Sequence, residues 1–215
     1  MTFSPEAGNL VKISTGVFWS IAYLLIIRRG FKDRTFGMPL VAACANISWE
    51  LIFSFIHPHN PPQLYIDITW FLLDLLIVYQ VLRYGPRSFD DLLPKGSFYA
   101  AFAVTLALSF AITLGITIEF KDWIGGYSAF GMNLIMSILF VVMLRRRNDL
   151  AGQSLYIAVA KWTGTLLVSV YFCVQVSSSF LMVTLYVAIF FFDALYTCML
   201  YAKYRELGLS PWRRV

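Results

Sequence analysis

The chain has 215 residues, of which 59% are hydrophobic and 13% are charged, and its formal net charge is +5. A soluble domain carries about a quarter charged residues, so this composition excludes an ordinary soluble globular protein. The chain also contains several separate apolar runs of about 20 residues, each long enough to cross a hydrocarbon core of roughly 30 Å. The composition and these apolar runs therefore predict a multi-pass membrane protein.

Seven membrane-spanning helices are predicted from the hydropathy of the chain. Short polar connections that contain Pro and Gly separate them, and no stretch is polar enough to form a soluble domain. We therefore expect an all-α, polytopic bundle in which residues 1–215 form one transmembrane domain. The predicted spans are residues 10–27, 38–56, 64–82, 98–118, 123–144, 154–176 and 180–202.

The basic residues predict how these spans are oriented. All of the 17 Lys and Arg residues except Lys12, Lys121 and Lys161 follow the first, third, fifth or seventh span. Because cytoplasmic connections are enriched in Lys and Arg, the amino end is expected outside the cell or in a lumen, and the carboxyl end in the cytoplasm. The positive charge is thus explained by basic connections at the cytoplasmic surface of the membrane, beside its lipids. No nucleic-acid partner is expected. The expected membrane is the plasma membrane in a bacterium and the endoplasmic reticulum in a fungus.

Acidic side chains inside the predicted spans indicate a functional site. A charge at the centre of a span costs roughly 2.5–3.5 kcal/mol on insertion scales, so function is the default explanation. Glu50, Asp74 and Asp193 lie on the second, third and seventh spans, and a rise of about 1.5 Å per residue puts them at similar mid-membrane depth. A structural cluster of neutral, hydrogen-bonded acids is the alternative, and for Asp74 the two explanations have equal weight.

Two amides lie near these acids. Asn46 precedes Glu50 by four residues, so the two share one face of a helix, and Trp49 lies beside them. Asn133 is near mid-depth in the fifth span, where it could bond to an acid or hold two helices together.

Other polar residues receive simpler interpretations. Lys161 is expected to extend its ammonium group to the cytoplasmic surface, and Asp67 lies either at the mouth of a cavity or on a solvated helix end. His57 and His59 are expected in a solvated loop, since no third metal ligand is evident nearby. Asp90–Asp91 lack the Asp-Asp-x-x-Asp signature and are assigned to a loop. No metal or other cofactor is expected.

Aromatic residues make up 17% of the chain, and several lie deep in the spans beside the acids. Aromatic faces stabilise a cation by about 0.5–2 kcal/mol each, although ordinary core packing would give the same spacing. The aromatic residues predicted to line the site include Trp49, Trp70, Phe71, Phe190 and Tyr196.

Acids beside aromatic side chains suit an acid-initiated reaction. An apolar cavity favours the neutral form of a carboxyl group, which can then give its proton to a weak base. Protonation of an alkene or an epoxide produces a carbocation, which aromatic faces stabilise and the exclusion of water protects. We therefore expect a lipophilic polyene that enters from the bilayer.

The same residues resemble those of the small integral-membrane terpene cyclases of fungal meroterpenoid and indole-diterpene biosynthesis, which have bacterial relatives. The resemblance implies seven spans and the non-metal, proton-initiated cyclisation of a prenylated or epoxyprenylated acceptor. It covers essentially the whole chain and implies two catalytic acids, Glu50 and Asp193. It rests on Asn46-x-x-Trp49-Glu50, Trp70-x-x-x-Asp74 and Asp193.

Two other functions fit a bundle of seven spans. A small transporter or proton-linked carrier would also use mid-membrane acids, but its helices are often broken at Gly or Pro, and the predicted helices are continuous. A retinal photoreceptor needs a lysine deep in its last span, and residues 180–202 contain none. A receptor is also disfavoured, because the Asp-Arg-Tyr type of signature is missing after the third span. The cyclase is therefore the favoured prediction.

Overall fold

The computed structural model describes residues 3–89 and 94–214, and every regular element in those ranges is helical. Six helices are long and apolar enough to cross a membrane, as expected for a multi-pass membrane protein. The predicted Asp90–Asp91 loop lies outside the described residues. The helices are α1 (Pro5–Asp33), α2 (Leu40–Leu51) with a π-helical extension (Ile52–Ile56), α3 (Gln63–Ser88), α4 (Lys95–Glu119), α5 (Gly126–Arg147), α6 (Leu155–Gln175), α7 (Phe180–Glu206) and a final 3₁₀ turn (Pro211–Arg213).

Serine side chains begin three of these helices. Ser4, Ser154 and Ser179 each accept a hydrogen bond from the amide three residues further on, at 3.2, 3.3 and 3.4 Å. Such a cap contributes about 1 kcal/mol because it satisfies an amide that the first helical turn leaves free. Polar residues just before the apolar runs therefore set the starts of α1, α6 and α7.

The second helix is shorter than the six long helices and ends in a wider turn. Together with its π-helical extension it covers only Leu40–Ile56, which is about 25 Å at 1.5 Å per residue. The amide of His57 bonds to the carbonyl of Ile52 at 2.7 Å, five residues back. Turns of this kind are rare and often lie at functional sites. The second helix is therefore continuous from Leu40 to Ile56, as expected, but its last turn widens just after Glu50.

The packing of the helices places the predicted acids in different surroundings. α1 packs against α3 and α6, α2 packs against α3, α4 and α5, and α7 packs against α5 and α6. Glu50 on α2 and Asp193 on α7 therefore lie on helices that both pack against α5. The helix next to Glu50 is α3, which carries Asp74.

A close approach of α1 and α6 brings the side chain of Trp19 into the bundle. A Cβ atom at Gly164 would lie 2.7 Å from Cδ1 of Trp19, closer than real contacts allow. Small residues let membrane helices approach closely, so Gly164 sets the distance between these two helices.

Candidate active site

A cavity of about 410 Å³ extends from one end of the bundle to its middle. Its rim is formed by the start of α1, the α2–α3 and α4–α5 connections and the end of α6, and includes exposed residues such as Asn60. Its floor includes Glu50, which is 1% exposed. The volume is within the range of small-molecule sites. Aromatic side chains dominate the wall: Trp19, Trp49, Trp70, Phe130, Tyr171 and Phe172.

Glu50 is held at the floor by two polar side chains. The Tyr23 hydroxyl donates to Glu50 Oε1 at 3.0 Å, and Asn46 Nδ2 donates in turn to the Tyr23 oxygen. All three residues are buried and line the cavity. The four-residue spacing of Asn46 and Glu50 predicted their shared face, whereas a tyrosine within an apolar run carries no signal that would single out Tyr23.

Asp74 lies next to Glu50 but outside the cavity lining. It is fully buried on α3, and its carboxyl group neighbours the side chains of Glu50 and Asn46. Within the described part of the chain, both Asp74 oxygens and Glu50 Oε2 have no hydrogen-bond partner. The two acids thus form an adjacent pair of which Glu50 faces the cavity.

Asp193 belongs to a separate polar cluster. Lys161 Nζ lies 2.6 Å from Asp193 Oδ1 and donates to Ser137 Oγ at 2.7 Å. The side chains of Lys161 and Asp193 are 2% and 3% exposed. The expectation that Lys161 extends to the membrane surface is therefore wrong: the buried carboxylate offers its ammonium group a partner inside the bundle, and without one the charge of Asp193 would be uncompensated.

Trp19 connects the Lys161 cluster with the cavity. The ammonium group of Lys161 lies 5.6 Å from the centre of the Trp19 ring, within range of a cation–π interaction, and the ring lines the cavity. Asn133 also lines the cavity, and its Nδ2 donates to Thr165 Oγ1 at 3.2 Å rather than to an acid. Asp193 itself does not line the cavity. It contacts Lys161, whose ammonium group lies near the cavity-lining ring of Trp19.

Three of the predicted aromatic residues lie outside the cavity lining. Phe71 packs against a neighbouring phenylalanine with 5.2 Å between ring centres. Phe190 is 46% exposed on the surface of the bundle, and Tyr196 is buried with its hydroxyl donating to a glutamine at 3.1 Å. Trp49 and Trp70, by contrast, are both in the wall.

The loop after α2 folds inward instead of into solvent. His59 lines the cavity with Nδ1 hydrogen-bonded to Asp67 Oδ2 at 2.7 Å. Asp67 is fully buried and its other oxygen accepts from Gln63 Nε2 at 2.8 Å. The expectation of a solvated loop is therefore wrong for His59, and of the two positions considered for Asp67 the structure supports the one near the mouth of the cavity.

Comparison with known proteins decides the family. Residues 5–206 match the family described as Pyr4-like transmembrane terpene cyclases. The chain belongs to this family. It is therefore a membrane enzyme that cyclises a terpenoid, as the residues of the second, third and seventh spans predicted.

Individual relatives of this cyclase are fungal. The chain is 30% identical over 172 residues to the Pyr4-family terpene cyclase mfmH of Annulohypoxylon moriforme, which covers 74% of this chain and 67% of the relative. It is 28% identical over 165 residues to the asnovolin H synthase nvfL of Aspergillus novofumigatus (75% and 68%). It is 29% identical over 161 residues to the terpene cyclase pyr4 of Aspergillus fumigatus (71% and 65%). No solved structure matches the chain significantly.

Tyr23→Phe tests whether the hydroxyl that bonds to Glu50 supports the cyclase. A lost hydrogen bond of this kind costs about 1–3 kcal/mol, so cyclisation is expected to slow about tenfold or more while the protein stays folded. Tyr186→Phe is the matched control, because that hydroxyl bonds to the Ser177 carbonyl at 3.0 Å outside the cavity. Initial rates of product formation in membranes measure both, and equal rates for the two variants would contradict the role of Tyr23.

Proposed function

We propose that the cyclase starts ring formation by transferring a proton from Glu50 to a prenylated or epoxyprenylated substrate in the cavity. This proposal rests on the position of Glu50 in the cavity. Of the three mid-membrane acids, Glu50 alone lines the described cavity, while Asp74 stands behind it and Asp193 is paired with Lys161.

The hydrogen bonds of Glu50 identify the atom that gives the proton. Two adjacent carboxyl groups in an apolar core cannot both be ionised without a large Coulomb cost, so Glu50 and Asp74 together retain at least one proton. Oε1 of Glu50 accepts from Tyr23, and a protonated carboxyl group carries its proton on one oxygen only. Oε2, which has no hydrogen-bond partner among the described residues, is therefore the oxygen proposed to carry the proton, and the adjacent Asp74 supports that state.

The reaction then follows from the walls of the cavity. Protonation of the terminal alkene carbon, or of the epoxide oxygen with opening of a C–O bond, produces a carbocation near the floor. The electron pairs of internal double bonds attack in turn and form the ring C–C bonds. The faces of Trp19, Trp49 and Trp70 stabilise the moving charge, and loss of a proton from the last cation gives a product isomeric with the substrate.

The distribution of polar residues suggests how the substrate is oriented. The rim carries Asn9, Lys12, Asn60 and Gln63, whereas the wall below them is mostly aromatic. We propose that a lipophilic substrate partitions from the bilayer, leaves its polar acceptor group at the rim and extends its prenyl end to Glu50.

Asp193 is proposed to act as a positioning residue. Its carboxylate holds Lys161, whose ammonium group lies over the cavity-lining ring of Trp19. This proposal keeps Asp193 essential to the site, as the family resemblance implies, without direct contact with the substrate.

The exchange Glu50→Gln tests the proton donor. It preserves the shape of the side chain but removes the acidic proton, so formation of cyclic products is expected to fall by about 10²–10⁴, the usual contribution of general acid catalysis. Membranes that contain the protein are incubated with farnesylated and epoxyfarnesylated acceptors, and cyclic isomers are quantified by mass spectrometry. Glu119→Gln, on an exposed residue at the end of α4, is the matched control. Undiminished cyclisation by Glu50→Gln would reject the proposal.

A paired substitution separates the two roles considered for Asp193. Asp193→Asn leaves a buried ammonium group uncompensated and is expected to destabilise the fold by about 3–5 kcal/mol and to abolish activity. Asp193→Leu combined with Lys161→Met removes both charges, so stability is expected to return together with part of the activity. Thermal unfolding in detergent and product formation measure the two effects. A folded but inactive double variant would instead show that the charged pair is needed for the reaction itself and not only for stability.

We also propose that α2 crosses the membrane as a seventh span, with the amino end outside the cytoplasm. The support is the placement of basic residues after alternate helices. In this orientation the rim of the cavity faces away from the cytoplasm. Reporter domains fused to each terminus test it: opposite sides are expected for the two ends, with the carboxyl end cytoplasmic, and equal accessibility of both ends would contradict it.

A further inference from the structure

His59, in the wall of the cavity, is hydrogen-bonded to the buried Asp67, away from the acid at the floor. Both oxygens of Asp67 accept hydrogen bonds, one from Gln63 Nε2 at 2.8 Å and the other from His59 Nδ1 at 2.7 Å. With the proton of the imidazole on Nδ1, the lone pair is on Nε2. A buried carboxylate that orients an imidazole in this way produces a general base.

The ring of His59 is fixed rather than free in a loop. It stacks on Phe53 with 4.8 Å between centres and 5° between planes, and it lies 5.7 Å from Trp49. Its backbone amide also bonds to the Phe53 carbonyl at 3.1 Å. The widened last turn of the second helix therefore places this imidazole in the wall of the cavity, with its side chain 12% exposed.

The position of the ring matches the last step of the proposed reaction. The positive charge begins at Glu50 on the floor and moves toward the polar acceptor group as each ring closes. The final cation of the proposed reaction therefore lies toward the rim, and His59, in the α2–α3 connection that forms part of the rim, lines the cavity there. A carbocation loses a proton easily, but a base in a defined place decides which proton is lost.

We propose that His59 is the base that ends the cyclisation, oriented by Asp67; this inference rests on the proposed function of Glu50. Nε2 takes the proton from a carbon next to the cationic carbon, and the electrons of that C–H bond form the alkene of the product. The resulting imidazolium is paired with the Asp67 carboxylate. It releases its proton to water at the rim, and water returns a proton to the Glu50–Asp74 pair, so the overall reaction is an isomerisation.

The chain provides a matched control in the same loop. His57 lies outside the cavity lining, and its ring packs against Trp123 with 5.2 Å between centres. His57→Gln therefore makes the same chemical change as His59→Gln, two residues away, without touching the cavity.

The experiment compares the product mixtures of His59→Gln, Asp67→Asn, His57→Gln and Glu50→Gln. Each variant, in membranes, receives farnesylated and epoxyfarnesylated acceptors in H₂¹⁸O, and size-exclusion chromatography in detergent verifies its fold. In His59→Gln the ratio of the wild-type alkene to other cyclic products is expected to fall on the order of 100-fold, the lower range of general base catalysis. The other products are expected to be isomeric alkenes and ¹⁸O-labelled alcohols. Consumption of the substrate continues, because the first protonation does not need the base.

Asp67→Asn is expected to shift the product mixture in the same direction by a smaller factor, since the imidazole remains but is no longer oriented by a carboxylate. If His59→Gln does not fold, Asp67→Asn provides the test instead. His57→Gln is expected to give the wild-type mixture.

Three outcomes overturn the inference: an unchanged alkene ratio in folded His59→Gln, complete loss of substrate consumption in that variant, or a wild-type product that is entirely ¹⁸O-labelled. The comparison with Glu50→Gln separates this failure from failure of the proposed function. If Glu50→Gln is inactive and His59→Gln keeps the wild-type mixture, only the assignment of the base is lost. If Glu50→Gln still cyclises the substrate, the proposed function is lost as well.

Discussion

A carboxyl group inside an apolar helix bundle must either keep its proton or lie beside a cation, and the two acid sites of this cyclase meet that constraint in opposite ways. Glu50 accepts a hydrogen bond from the neutral Tyr23 hydroxyl and lies beside a second acid, Asp74, and adjacent acids in an apolar core favour a shared proton. Asp193 lies 2.6 Å from the ammonium group of Lys161, which compensates a charge on the carboxylate inside the bundle. The first group is therefore suited to give a proton, and the second is suited to hold a cation in place.

The rest of the site depends on the separation of the Glu50–Asp74 pair from the Asp193–Lys161 pair. α5 packs between the helices that carry them, and the aromatic wall of the cavity lies on the side of Glu50. Trp19 is the exception, since it faces the cavity and also lies over the ammonium group of Lys161.

Much of the structure and of the candidate site could be predicted from the sequence, because a charged residue inside a membrane span is costly and therefore points to a function. Hydropathy predicted the helical bundle, and the cost of a buried charge singled out Glu50, Asp74 and Asp193. The four-residue spacing predicted that Asn46 shares a face with Glu50. These inferences need only the periodicity of one helix and the energy of one side chain.

The remaining contacts depend on which helices touch. Glu50 meets Asp74 and not Asp193 because α2 packs against α3. Lys161 stays inside because a partner 32 residues away neutralises it, whereas an isolated lysine at that depth would extend to the surface. The loop that holds His59 contains several prolines and looks like a solvated turn, and its inward fold depends on a π-helical turn that has no signature in the local sequence.

The short second helix has a consequence for the surrounding lipid. The apolar segment Leu40–Ile56 is about 25 Å long, while an average hydrocarbon core is roughly 30 Å thick. Val41, Phe55 and Ile56, at its two ends, are exposed on the outside of the bundle. In the proposed arrangement of seven spans, the bilayer beside α2 becomes thinner to match it, at a cost of fractions of a kcal/mol per ångström. This deformation lowers the headgroup layer toward the loop that holds His59, so an amphiphile at that boundary needs to travel a shorter distance to reach the interior of the protein.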